Sequence, residues 1–362
     1  LDVRMKEGNT HKIHGSAGVG MISSRLLVEG PIKKDKVSFL LSGRRTYTDL
    51  FLPFAKDTIA RESKLYFYDI NAKVNFIIND NNRLFISGYF GRDVNVFAEL
   101  FQVNFGNATT TIRWNHVYNG RIFSNLTFIY SDFDYNLGVP QGKTGFKWLS
   151  HIIDIGFRND YNFYINSNNN IKFGIQLTHH TIKPGMTEEV SEESYINSIK
   201  LPDAHSIESA LFLSNEQRIS SRFSVQYGLR YSLFQNIGSA TLYNYNDNYE
   251  VTDTTLIPTG EIFNTYGNLE PRLGIRFTLS EKSSVKAGYN RMAQYLHLAS
   301  NSTATFPLDM WFMSSPNVKP HLVDQIGLGY FRNFRNNTIE TSVEVFYKKM
   351  KNTIDFKDHA ML

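Results

Sequence analysis

The segment RFSVQYGLRYSLF, residues 222–234, alternates without a break. Phe223, Val225, Tyr227, Leu229, Tyr231 and Leu233 form one set, and Ser224, Gln226, Gly228, Arg230 and Ser232 form the other. Side chains on a strand point to opposite faces in turn, so this segment has an apolar, aromatic face and a polar face. Taken alone, it leaves two destinations open for the apolar face: a second sheet, or lipid.

The same alternation recurs on both sides. Upstream, Ile171, Phe173, Ile175 and Leu177 oppose Lys172, Gly174, Gln176 and Thr178. Downstream, Leu273, Ile275, Phe277 and Leu279 oppose Arg272, Gly274, Arg276 and Thr278. The whole chain reads as about 15 strands in a meander. Its connections are of two kinds that take turns. Asn79–Asn82, Asn119-Gly120, Asn166–Asn170, Ser220-Ser221, Glu281–Ser283 and Arg335–Asn337 are short and polar, and Asn119-Gly120 is a favoured two-residue hairpin turn. The stretches 46–66, 138–147, 183–205, 238–268 and 299–323 are long and irregular.

That asymmetry is the pattern of an outer-membrane barrel, with short periplasmic turns and long extracellular loops. Strand length agrees. Many runs reach about ten residues, enough to cross a bilayer at a tilt, whereas sandwich strands run about five or six. Aromatic pairs near strand ends, such as Phe67-Tyr68, Phe163-Tyr164, Tyr330-Phe331 and Phe346-Tyr347, suit an interfacial girdle. The expected fold is therefore all-β: a transmembrane, antiparallel, up-and-down β-barrel.

Composition is compatible. The chain has 362 residues, 28 Phe, 20 Tyr and no Cys. Mean hydropathy is −0.31, which does not exclude a barrel, because polar lumen residues dilute the average. A net charge of +4 is too mild to suggest a nucleic-acid partner. The opening LDVRMKEGNT has no apolar core of a signal peptide.

No arrangement of residues points to an enzyme, a resident metal or a cofactor. His179 and His180 are adjacent on a strand, so they face opposite ways and do not share a metal. Glu188, Glu189, Glu192 and Glu193 read as a solvated acidic loop, and Asn301-Ser302-Thr303 as a chance glycosylation pattern. Arg230, Arg272, Arg276, Lys172, Lys286, Glu340 and Glu344 fall on the polar faces of good strands. A charge facing lipid costs about 2–4 kcal/mol at the midplane, so these seven are expected to face a lumen. Among loop aromatics, Tyr245, Tyr266, Trp311 and Phe312 are candidates either to stack on a cargo ring or to pack the loop bundle.

Four stretches carry a family resemblance. GVGMISSRLLVEGPIKKDKVSFLLSGRRTY at Gly18–Tyr47 resembles the first barrel hairpins of TonB-dependent outer-membrane receptors. It is most similar to the branch with a carboxypeptidase-regulatory-like N-terminal domain and to its glycan-importing relatives. LEPRLGIRFTLSEKSSVKAGYNRMAQYLHLASNS at Leu269–Ser302 and NVKPHLVDQIGLGYFRNFRNNTIETSVEVFYKKMKNTIDF at Asn317–Phe356 resemble later hairpins of the same family. DVRMKE at Asp2–Glu7 is similar to the exit from the plug domain.

The resemblance implies residues 1–10 as the lead-in from a plug and 11–362 as barrel. It also implies a partial barrel, since the family wall has about 22 strands. The expected function is active transport across the bacterial outer membrane. A scarce, bulky nutrient such as a siderophore or glycan is captured at the outer loops and imported with TonB-derived energy. Expected partners are outer-membrane lipid, the TonB complex acting through the plug, and a surface lipoprotein. The lumen charges would then contact the plug or line the substrate path. A passive porin or adhesin barrel is the alternative, and a soluble β-rich binding module the third reading.

Overall fold

A computed structural model describes residues 5–142, 145–190, 198–299 and 310–354. Glu192, Glu193 and Asn301-Ser302-Thr303 lie outside the described residues. Strands β1 (His14–Val19), β2 (Ser23–Lys33) and β3 (Val37–Thr46) come first. Helical turns, including Thr58–Glu62, connect them to β4 (Lys64–Asn79). Long hairpins follow: β5 (Asn82–Phe97), β6 (Phe101–Asn119), β7 (Ile122–Val139), β8 (Phe146–Asn166), β9 (Asn169–Glu189), β10 (Ala204–Arg218) and β11 (Phe223–Ile237). A small hairpin, β12 (Ala240–Tyr245) and β13 (Val251–Ile257), precedes β14 (Ile262–Ser280) and β15 (Ser283–Gln294). A second, β16 (Leu296–Ala299) and β17 (Met310–Met313), precedes β18 (His321–Phe334) and β19 (Ile339–Lys351).

Fifteen of these strands form one antiparallel sheet in the order β1 to β11, β14, β15, β18, β19. Each neighbour is the next long strand along the chain, so the topology is an up-and-down meander. Strands β1 and β19 stand at its two edges.

The register keeps the two faces apart. Leu213 pairs with Leu229, and Leu211 with both Ile175 and Tyr231. These residues are exposed, Leu211 at 60% and Leu213 at 58%. On the other face, Lys172 pairs with Ser214, Ser214 with Gly228, Gly228 with Arg272, and Arg272 with Asn290. A slip of one residue would exchange the faces. Several register breaks sit beside the short turns, at Ile77/Asn79, Val117/Asn119, Tyr164/Asn166 and Thr278/Ser280, where they leave the alternation of the strand body intact. On the apolar face near the turns, Tyr161 lies 6.3 Å from Tyr118 and 5.1 Å from Phe173, both stacked.

Several segments expected as loop are strand. Strand β9 runs on through Glu188 and Glu189, which pair with Lys147 and Phe146. Strand β14 starts at Ile262 rather than near Leu269, and the 238–268 stretch also holds β12 and β13. Past the alternating segments the backbone still needs partners for its N–H and C=O groups, and continuing the hairpin supplies them.

Candidate functional site

The polar face of the sheet carries three arrangements, from the short-turn end upward. The lowest is a basic wall. Arg276 pairs with Lys286, Lys286 with Gly329, and Gly329 with Glu344. Glu340 lies four residues from Glu344 on β19, on the same face. With Lys172, Arg230 and Arg272, all seven expected residues share this face. The floor between them is bare. Gly274, Gly288 and Gly327 are consecutive partners across β14, β15 and β18. A Cβ at Gly274 would meet nothing closer than Gln226 Cβ at 3.9 Å. A depression of about 560 Å³ opens beside this floor, lined by Arg158, Lys172, Gln176, Arg230, Arg272 and Asn290 among others.

Above it sits a node of charge centred on Arg230. Its guanidinium donates to Gln176 Oε1 at 3.0 Å and to Glu208 Oε1 at 3.0 Å, and its Nε lies 3.4 Å from Glu270 Oε1. One side chain on β11 thus joins β9, β10 and β14. Glu270 is 4% exposed, and burial of a carboxylate demands such pairing. His180 extends the node: Nδ1 is 2.7 Å from Asp154 Oδ1, and Nε2 is 3.8 Å from Glu208 Oε2. His179, its chain neighbour, is on the opposite face, its ring 6.0 Å from that of His205. Asp154, His180, Glu208 and Glu270 were missed as site residues. Each lies on the polar face of its strand, but only the cross-strand register brings them to Arg230.

The top arrangement is a loop folded onto the wall. Pairing of β15 with β14 ends at Asn290 and Arg272, and β15 continues with β18 alone. Beyond it, Tyr295, Ile182, Phe234 and Met313 form a buried cluster, with Tyr266 and Trp311 packed against it. The rings of Phe234 and Tyr295 stack at 4.8 Å. Polar bonds hold the same contact. Asn236 donates to the Ser314 carbonyl at 2.8 Å, and Tyr266 donates to the Ser315 carbonyl at 2.8 Å. Phe312 lies 5.6 Å from the His297 ring. Tyr266 and Trp311 thus pack on one cluster, and Phe312 sits against His297. Tyr245 is apart from them, 48% exposed on the β12–β13 hairpin.

At the other end of the sheet, residues 5–10 lie on the polar face of β2 to β4. Lys6 pairs with Glu29, which is 4% exposed, and Lys73 donates to the Met5 carbonyl at 3.3 Å.

No curated protein matches the chain. Solved structures share its fold. The ferric-catecholate import receptor Fiu from E. coli K12 superposes with a TM-score of 0.65 at 12% identity, over 98% of this chain and 60% of that one. The copper transporter OprC gives 0.67 at 10% identity, over 95% and 55%. BauA, the ferric preacinetobactin receptor of Acinetobacter baumannii, gives 0.64 at 11%, over 94% and 55%. The chain thus spans a little over half the length of these neighbours. The family model described as TonB dependent receptor-like, beta-barrel matches residues 34–360. Receptors of this family are transport proteins of the bacterial outer membrane, not enzymes, so the exposed apolar face is the one that meets lipid. With nearly its whole length matched, the chain belongs to the TonB-dependent receptor β-barrel family.

Proposed function

We propose that the polar face lines the bore of an importer that captures a scarce, bulky nutrient at its outer loops and moves it inward with TonB-derived energy. In this reading residues 1–10 lead out of a plug and 11–362 form the barrel portion. Lys172, Arg272, Arg276, Lys286, Glu340 and Glu344 contact the plug, and Arg230 ties the wall together behind it. The observation that carries the reading is the split of the sheet into an apolar outer face and a charged inner face capped by a docked loop. A bare floor at Gly274, Gly288 and Gly327 supports it, because a folded segment packs closely against backbone free of side chains.

The cargo belongs to the class of siderophores, glycans or similar chelates and oligomers too large for passive diffusion. The neighbours are a ferric-catecholate import receptor, a copper transporter and a ferric preacinetobactin receptor, and their low identity does not carry those cargoes over. A surface lipoprotein that delivers cargo to the loops completes the proposal. The test is uptake by whole cells of labelled siderophores and oligosaccharides, with the gene deleted, and separately with TonB deleted. Loss in both strains is expected. Uptake that persists without TonB would favour a passive porin. Affinity purification from solubilised outer membranes tests the lipoprotein.

A further inference from the structure

We propose that His297 and His321 form a two-imidazole site for a borderline divalent transition-metal ion, Zn²⁺ or Cu²⁺, which pins the β16–β17 hairpin to the head of β18. This goes beyond the transport reading and does not depend on the cargo. His297 lies on β16 and is 1% exposed. His321 is the first residue of β18. Their ring centroids are 4.4 Å apart, with the planes inclined at 60°.

Each ring keeps one buried nitrogen without a partner. For His297 it is Nδ1, and for His321 it is Nε2. A buried polar atom left unpaired costs about 1–3 kcal/mol, so two in touching rings need an explanation. The other nitrogen of His297 supplies part of it. Nε2 lies 2.9 Å from Ser314 Oγ, and Ser314 is fully buried. When Nε2–H donates to that hydroxyl, the free lone pair of the ring is on Nδ1. This is how a partner behind a metal-binding histidine sets its tautomer.

Zinc–nitrogen bonds are about 2.0–2.1 Å, and two imidazoles bound side by side on one ion bring their ring centres to about 4.5–5 Å. The observed pair needs only a small opening to reach that. An imidazole binds a metal ion only in its neutral form, so binding should be lost as the pH falls. Among the described residues no third His, Asp or Glu joins the cluster. Two positions of the ion are thus filled by protein and the others by water. Such a site is expected to bind in the micromolar range, Cu²⁺ more tightly than Zn²⁺. One ligand is on the hairpin and the other on the wall, so the ion acts as a clasp on the loop.

The full-length receptor, purified in detergent and stripped with chelator, is titrated calorimetrically with ZnCl₂ and with CuCl₂. Hydrogen exchange of residues 310–314 is followed in parallel. One saturable ion per chain and slower exchange in the hairpin are expected. His297→Ala and His321→Ala should each abolish both effects, and Ser314→Ala should weaken binding by about tenfold or more. Heat-modifiable migration on gels checks that each variant is folded. His321→Gln, at the less buried position, serves if the His297 variant fails to fold. Absence of saturable binding to the folded wild type overturns the proposal, as does binding unchanged in a folded His321 variant.

Discussion

Ser232 Oγ and Tyr295 Oη lie 2.7 Å apart, joining strand β11 to the segment after β15 across 63 positions of chain. Ser232 also bonds Glu270 Oε1 at 2.8 Å, and Asn268 donates to Tyr295 Oη at 2.9 Å. Read in donor order, the bonds run Asn268, Tyr295, Ser232, Glu270. Glu270 in turn faces Arg230. The loop is therefore wired to the charge node of the wall, and stacking on Phe234 supplies the apolar half of the same contact.

Tyr295→Phe keeps the ring and removes the hydroxyl. It should cost about 0.5–1.5 kcal/mol of loop docking, the net worth of an ordinary hydrogen bond, and slightly more if Ser232 is left unpaired. Tyr295→Ala also removes the ring from the cluster and should cost about 3–5 kcal/mol. Hydrogen exchange of residues 310–315 should rise in that order, while exchange in β4 to β8 stays as in the wild type.

Arg230→Met leaves Glu208 and the buried Glu270 without their shared cation. Breaking a buried ion pair from one side typically costs about 3–5 kcal/mol, and Arg272 Nη2, 3.8 Å from Glu270 Oε2, keeps the loss at the low end. Denaturant unfolding of the detergent-solubilised receptor should show a loss of that order. Adding Glu270→Gln to the same chain should return part of it, since one of the stranded charges is then gone. A double variant no better than Arg230→Met would show that the arginine acts through packing alone.

Much of this architecture was legible in the residues. The alternation from Phe223 to Leu233 and the Asn119-Gly120 turn gave strands and hairpins, because lipid on one side and water on the other force a period of two. The polar-face residues followed from the same parity. What stayed hidden depended on register and on loop folding. Gln176 and Arg230 are 54 positions apart, and nothing local announces that they meet. The outer halves of β9 and β14 lack a clean alternation, so they read as loop. Nothing local in the sequence shows that Tyr266 and Trp311 pack against Phe234 and Ile182.

Two glycines on the polar face should respond differently to the same change. At Gly174 a Cβ would run into the Asn159 carbonyl and lie 2.9 Å from the Phe212 ring. Backbone and an aromatic ring yield little, so Gly174→Ala should destabilise by about 1–3 kcal/mol, the usual cost of overpacking. At Gly274 the wall itself leaves the space open, so in the barrel expressed without its plug Gly274→Ala should leave stability within about 0.5 kcal/mol of wild type. Thermal unfolding of the two variants checks the contrast.

The assignment of faces can be tested with one charge placed on either side of the sheet. Leu213 is 58% exposed on the apolar face of β10, about midway between the turn at Ser220 and the polar groups of the outer rim. Arginine there must sit in hydrocarbon or bend toward a headgroup, at a cost of about 2–4 kcal/mol near the midplane. Gln226 lies three pairs nearer the turn on the next strand, and it pairs with Glu216 on the polar face. Arginine at that position gains an opposite charge across the strand, worth roughly 0.2–1 kcal/mol, and stays in water or against a packed polar surface. Leu213→Arg should therefore slow folding into lipid vesicles and lower the yield of heat-resistant barrel, and Gln226→Arg should do neither. Equal loss from both would mean that the two faces meet similar surroundings, as in a sheet buried between protein layers. Loss from Gln226→Arg alone would exchange the lipid side for the bore side throughout the sheet, since the register permits no mixture of the two.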